Sequence, residues 1–175
     1  MIPAWVDGHL MPVEKLAVHR LGLRHKAVSV FVLAGASVLI QRRALTKYHT
    51  PDLWANTCCT HPRWDEEPAD CARRRLHEEL GITGLPLAFA GHVTYRADVG
   101  GGLTEHEEVD IFTAHASRDL SVTPDPAEVA EVRWFQLDTL IDEVSHRPDE
   151  FTPWLRIYLA DHAAQIFGQG LLSQR

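Results

Sequence analysis

The chain has 175 residues, 45% of them hydrophobic and 23% charged, with a net charge of −7. That length buries a sizeable core as one domain over residues 1–175, and the acidic balance speaks against a nucleic-acid partner, which needs a basic face, but not against a small phosphorylated substrate. The three cysteines are odd in number and two are adjacent, residues 27–40 are too short and punctuated to span a bilayer, and Met1 is followed by no basic start and apolar run, so the expectation is a cytoplasmic, reduced protein with no membrane partner.

The first legible element is the β-branched apolar run at 27–33. Gly35 follows it, and a second apolar run at 38–42 completes a hairpin with a buried first strand. Residues 53–57 read as a short strand before the cysteines. Residues 68–80 form the clearest helix: Pro68 suits a first turn, Ala72, Leu76 and Leu80 make one stripe, and Gly81 stops it. On this helix Arg75 and Glu79 share a face, with Glu78 turned away. Strands follow at 89–97, 107–115 (core candidates Val109, Ile111 and Phe112) and 131–135, with Gly100-Gly101-Gly102 as the turn between the first two. Helices are predicted at 137–144 and 153–167. Strands interrupted by helices predict an α/β (α+β) fold with a mixed sheet sandwiched between helices.

Four clusters carry possible chemistry. In Cys58-Cys59-Thr60-His61-Pro62, a cysteine two residues from a histidine fits a metal pair, a nucleophile with its base, or plain packing. No second cysteine pair supplies a zinc finger. Glu105 and Glu107 lie two apart, so on a strand they share a face, either holding a cation or forming a solvated charge run. His19 and His25 flank Gly22, as metal ligands or as surface residues. Lys15, Arg43, Lys47 and Arg75 bind a diphosphate only if the fold makes them converge.

Taken together, these segments resemble one family. Thr57-Cys58-Cys59-Thr60-His61-Pro62 after Trp54-Ala55-Asn56 is similar to the cysteine motif of type 1 isopentenyl-diphosphate isomerases. Tyr95-Arg96-Ala97, followed by Glu105-His106-Glu107, resembles that family's second active-site segment. His19-Arg20, Gly22 and His25-Lys26-Ala27 resemble its N-terminal metal segment, and Gln41-Arg42-Arg43-Ala44 with Lys47 its phosphate-binding segment. The resemblance runs from about residue 13 to 154. It includes a degraded Nudix box, with Glu66, Arg74 and Glu78-Glu79-Leu80-Gly81 in place. Thr60 stands where the box has glycine, and Arg75 where it has the first helix glutamate. A Nudix pyrophosphohydrolase needs that glutamate for its magnesium ions. A non-catalytic Nudix-like binding module is the other alternative.

The resemblance implies a Nudix-like fold and conversion of isopentenyl diphosphate into dimethylallyl diphosphate in isoprenoid biosynthesis. It implies Cys59 and Glu107 as the acid–base pair, Tyr95 beside Glu107, and Trp154 facing a carbocation. Cys59 is selected over Cys58 because the family's catalytic cysteine lies two before the histidine. It further implies Lys15, Arg43, Lys47 and Arg75 on the diphosphate, and a divalent ion, Mn²⁺ or Zn²⁺, on His19, His25, His61, Glu105 and Glu107. Glu79 would hold Mg²⁺ shared with the diphosphate. The expected oligomeric state is monomer.

Overall fold

The computed structural model describes residues 1–172, with side chains through residue 170. The last three residues of the domain expected over 1–175 lie outside the described residues. In chain order the elements are β1 (Ile2–Val6), β2 (His9–Val13), α1 (Lys15–Leu21), β3 (His25–Ala34), β4 (Ser37–Arg43), β5 (Trp54–Ala55), β6 (Cys58–Thr60), α2 (Pro68–Leu80), β7 (Ala88–Asp98), β8 (Thr104–His115), β9 (Val129–Gln136), α3 (Leu137–His146), α4 (Pro153–Asp161), α5 (Ala163–Phe167) and α6 (Gln169–Leu172), with a short 3₁₀ turn at Pro148–Glu150.

Strand β3 is the hub of one mixed sheet. It pairs parallel with β8 and antiparallel with β4 and β6. Hairpin partner β7 lies beyond β8, and β9 beyond β4. Because side chains alternate along a strand, β3 feeds two cores. Ala27, Phe31 and Leu33 join the cluster containing Leu155 and Tyr158 of α4 and Phe167 of α5. Val28, Val30 and Val32 join the other cluster, under Ala72, Leu76 and Leu80 of α2. The sheet is thus sandwiched between helices, as the sequence predicts. Strand β8 follows the same rule: Val109 and Ile111 face the α4 side, and Phe112 faces α2.

Three local features differ from expectation. The strand predicted at 53–57 forms only at Trp54–Ala55, as β5 on β4, and a separate strand, β6 on β3, begins at Cys58. At the break, the Asn56 amide donates to Val30 O and Cys58 O, and Val32 N donates to Thr57 Oγ1. These side chains satisfy the strand groups that a continuous ladder would have paired, and the cysteines themselves become the strand. The helix predicted at 153–167 is broken at His162, which leaves helical geometry at φ −127°. The third feature is an N-terminal hairpin, β1–β2, packed beside β3 and followed by α1. Its two-residue turn, Asp7–Gly8, has both residues at positive φ, the conformation favoured by an Asp-Gly hairpin.

Candidate active site

Helix α1 brings the first ligand candidate inward. Glu14 caps it by accepting from the Leu16 and Ala17 amides, and Gly22 ends it in the left-handed conformation at φ 61°. That turn lets the chain reverse into β3, so His19 on the helix and His25 on the strand face each other with ring centroids 4.9 Å apart. His61, just past β6, lies beside both. The glycine between the two histidines is therefore the device that makes them meet.

Proton positions on these rings follow from their partners. His19 Nδ1 donates to Lys15 O at 2.7 Å and His25 Nδ1 to Leu23 O at 2.8 Å, because a carbonyl only accepts. Burial holds His19 below the usual imidazole range and pushes His61 down to about 3. His19 Nε2 is buried with no partner among the described residues, and such an orphan costs about 1–3 kcal/mol. His25 Nε2 and His61 Nε2 stand 3.1 Å apart, and His61 Nε2 is 2.9 Å from Glu107 Oε1. Two imidazole nitrogens so placed need a shared proton or a cation between them. Inward-facing donor atoms of His19, His25, His61 and Glu107 all lie within 4.8 Å of one another. Three imidazoles and a carboxylate fit a divalent ion of the zinc, manganese or iron type.

Glu105 shares this face of β8 with Glu107 but belongs to an adjoining group, with His19 and His49. Tyr95 on β7 joins the two carboxylates: its hydroxyl lies 2.8 Å from Glu105 Oε2 and 2.7 Å from Glu107 Oε2. One hydroxyl proton cannot serve both, so a protonated Glu105 completes the chain of donors. The electrostatics point the same way. Burial and the charge of Glu107 push Glu105 well above the usual carboxylate range. Burial also opposes charge on Glu107, yet His25 and His61, whose Nε2 atoms lie 3.5 and 2.9 Å from Glu107 Oε1, hold it well below that range. Glu108, on the opposite face, pairs at the surface with Arg24 at 3.0 Å.

The two cysteines separate as alternation requires. Cys58 is fully buried in the α2-side core. Cys59 faces the α4 side, where Ser29 Oγ donates to its sulfur at 3.3 Å and Tyr158 lies 3.0 Å behind Ser29. Burial and the neighbouring Glu107 and Glu105 raise the Cys59 thiol well above its ordinary value, which keeps it as S–H.

All four expected cations converge. Lys15, Arg43, Lys47 and Arg75 line a small cavity of about 30 Å³ together with Cys59 and Trp154. Glu128 ties two of them, bonding Lys47 and lying 3.3 Å from Arg75. Arg43 sits 5.2 Å over the Trp154 ring. Arg75 also grips Glu79 through two nitrogens, at 2.6 and 3.1 Å, while Gln41 donates to the other Glu79 oxygen at 2.9 Å. Glu79 therefore stands outside both groups of metal-donor atoms. A larger cavity, about 600 Å³ between α3 and α4, contains none of these residues. The Glu66–Arg74 pair of the degraded box is intact, bidentate at 2.6 and 2.7 Å.

Several residues at the site have no role assigned to them from the sequence. His49, Ser29, Gln41, Asn56 and Tyr158 reach it through contacts distant in sequence, such as the 3.1 Å bond from the Trp154 indole to Asn56. The Cys59–His61 spacing holds no trace of Ser29 or Tyr158. Gln41 and Asn56 stand inside the quoted motif segments, Asn56 directly before Thr57 and the cysteines, but nothing there indicates their contacts.

A NUDIX domain profile matches residues 23–155. Among solved structures, the chain is similar to DR0079 of Deinococcus radiodurans (TM-score 0.65, 13% identity, covering 81% of this chain and 82% of that one). It is also similar to a MutT NUDIX hydrolase of Burkholderia pseudomallei (TM-score 0.61, 22% identity, covering 78% and 95%). At such identities the likeness shows the fold alone. Sequence relatives are much nearer. Isopentenyl-diphosphate Delta-isomerases of Cereibacter sphaeroides and Dinoroseobacter shibae are 70% and 65% identical, over 97% and 96% of this chain and 96% of each relative. That of Ruegeria pomeroyi is 58% identical over 98% of this chain and 96% of the relative. With this identity along nearly its whole length, the chain belongs to the isopentenyl-diphosphate Delta-isomerase family, built on the NUDIX domain fold.

Proposed function

We propose that this protein interconverts isopentenyl and dimethylallyl diphosphate in isoprenoid biosynthesis, moving one carbon–carbon double bond by protonation and deprotonation. The observation that carries this reading is geometric: Cys59 and Glu107 stand on one face of the sheet, and Cys59 lines the cavity where Lys15, Arg43, Lys47 and Arg75 converge. A proton adds to the terminal methylene carbon and leaves a tertiary carbocation. A second group then removes a proton from the neighbouring carbon on the opposite face. One member of the pair gives a proton while the other takes one, and in the reverse direction the roles exchange. Tyr95 hands hydrogen bonds to Glu107, and Trp154 offers its π-face to the cation.

Lys15, Arg43, Lys47 and Arg75 bind the diphosphate in this reading, converging where bidentate and point cations meet phosphate oxygens. A divalent ion, manganese or zinc, is held by His19, His25, His61, Glu105 and Glu107. When bound it supplies positive charge that sets the proton affinity of Glu107. Magnesium arriving with the diphosphate needs only one or two protein carboxylates, and Glu79 is our assignment for it. Arg75 stands where a NUDIX hydrolase needs a magnesium carboxylate, which favours isomerisation over diphosphate cleavage. The proposed protein is a cytoplasmic, monomeric, single-domain enzyme; no helix of the described residues is long and apolar enough to cross a membrane.

Incubating the purified protein with isopentenyl diphosphate and divalent metal, then assaying dimethylallyl diphosphate and free phosphate, tests the reading. Dimethylallyl diphosphate without phosphate supports it. Phosphate release would make the protein a hydrolase, and no turnover a binding module.

A further inference from the structure

His49 belongs to none of the motifs above, and the proposed chemistry does not use it. It is nevertheless buried at the edge of the metal-donor cluster, with its ring 5.5 Å from His19 in a stacked arrangement and 6.0 Å from Trp154. Its Nδ1 lies 3.1 Å from Thr50 Oγ1, which can accept the ring proton and leave Nε2 bare. Nε2 faces Glu105 Oε1 at 3.7 Å, too far for a hydrogen bond. Donor atoms of His19, His49 and Glu105 lie within 4.8 Å of one another.

The backbone around His49 is arranged to hold this aim. Thr50 adopts φ 45°, a conformation disfavoured for a β-branched residue. Arg43 clamps it, donating to Thr50 O and His49 O at 3.1 Å each. Strain kept in place by surrounding bonds clusters at functional sites. His19 has a single free nitrogen, the orphaned Nε2, because its Nδ1 is engaged by Lys15. That nitrogen belongs to both donor groups, so the groups cannot each hold an ion through it. They are two sides of one centre. Ligand bonds of about 2.0–2.2 Å place donors on opposite sides of an ion about 4.2 Å apart, and the donors within each group already lie within 4.8 Å of one another. The Arg43 guanidinium opposes a cation here, but two carboxylates, Glu105 and Glu107, outweigh it.

We propose that His49 is a further ligand of this metal centre, which then takes four imidazoles and two carboxylates from the chain. Six protein donors leave no open position for water or substrate. The ion's part would be to fix and polarise the two glutamates rather than to touch the substrate.

This inference rests only on the metal-binding part of the proposed function, and its test involves no turnover. The protein is stripped with chelator, loaded with one equivalent of Co²⁺, and its paramagnetically shifted exchangeable imidazole N–H resonances are counted by proton NMR after ¹⁵N-histidine labelling. Four resonances are expected, falling to three in His49→Ala, with metal affinity lower by about tenfold or more in competition against a chelator. Tyr48→Phe, at the exposed neighbouring position, should match the parent. Three resonances in the parent protein would overturn the proposal, whatever the variant does. So would an unchanged count and affinity in a folded His49→Ala protein. Loss of isomerase activity alongside four resonances would overturn the functional reading and leave this one standing.

Discussion

The indole nitrogen of Trp154 donates to Asn56 Oδ1 at 3.1 Å, across 98 residues of sequence. This bond fixes the ring where its face can meet positive charge, with the Arg43 guanidinium already 5.2 Å away. Phenylalanine keeps a weaker quadrupole and leucine has none. A ring face near a desolvated cation is worth about 0.5–2 kcal/mol, so Trp154→Leu should lose about 2- to 30-fold in kcat per folded molecule, with KM little changed. Trp154→Phe should retain more. Both variants should also lower the melting temperature, because Asn56 Oδ1 loses its donor at a cost of about 1–3 kcal/mol. Wild-type turnover in folded Trp154→Leu would remove the indole from the chemistry.

Cys59→Ser and Cys59→Ala should abolish measurable turnover, whereas Cys58→Ala should remain active. Cys58 contributes packing under α2, so its truncation should cost about 1 kcal/mol of stability in chemical denaturation. An inactive Cys58→Ala with a working Cys59→Ala would reverse the assignment.

Glu107→Gln should stay folded and lose activity, since the amide neither exchanges the proton nor replaces the carboxylate. Glu108→Gln should turn over at close to the parental rate and shift stability by less than about 1 kcal/mol, because its partner Arg24 is a solvent-exposed ion pair. Equal losses in steady-state assays of the two variants would contradict the alternation of β8.

These pairs also mark how far the sequence could be read. Period-two alternation was enough to place Glu105 and Glu107 on one face and to separate Cys59 from Cys58, because strand geometry alone decides it. Residues 68–80 were legible as a helix from Pro68, the Ala72–Leu76–Leu80 stripe and Gly81. The hairpin of β1 and β2 is not legible although Asp7–Gly8 is a strong turn signal, because each of its strands carries a proline, Pro3 and Pro12, which argues against a strand. Hydrogen bonds such as Ser29 to Tyr158, 129 residues apart, leave no periodic trace. His49 was hidden for the same reason: its neighbours His19 and Glu105 are brought beside it only by the fold.

Acid stability offers a separate check on the degraded Nudix box. Hydrogen bonding by Arg74 holds Glu66 down to about 2, against an ordinary value of 4.5. A carboxylate depressed in the folded state contributes stability that is complete above about pH 4.5 and is lost as pH falls toward 2. The metal-free Glu66→Gln variant should therefore melt below its parent at pH 7, with the gap closing between pH 4.5 and 2. A gap that does not change with pH would mean the pair contributes through packing instead.

In the reaction proposed for Cys59 and Glu107, a proton enters one end of the substrate's double-bond system as another leaves. Incubating isopentenyl diphosphate with the metal-loaded protein in D₂O and following the product by NMR tests this most directly. Dimethylallyl diphosphate carrying deuterium in a methyl group is expected, with the diphosphate intact and no label incorporated by Glu107→Gln. Dimethylallyl diphosphate formed without solvent deuterium, or release of phosphate in its place, would contradict it.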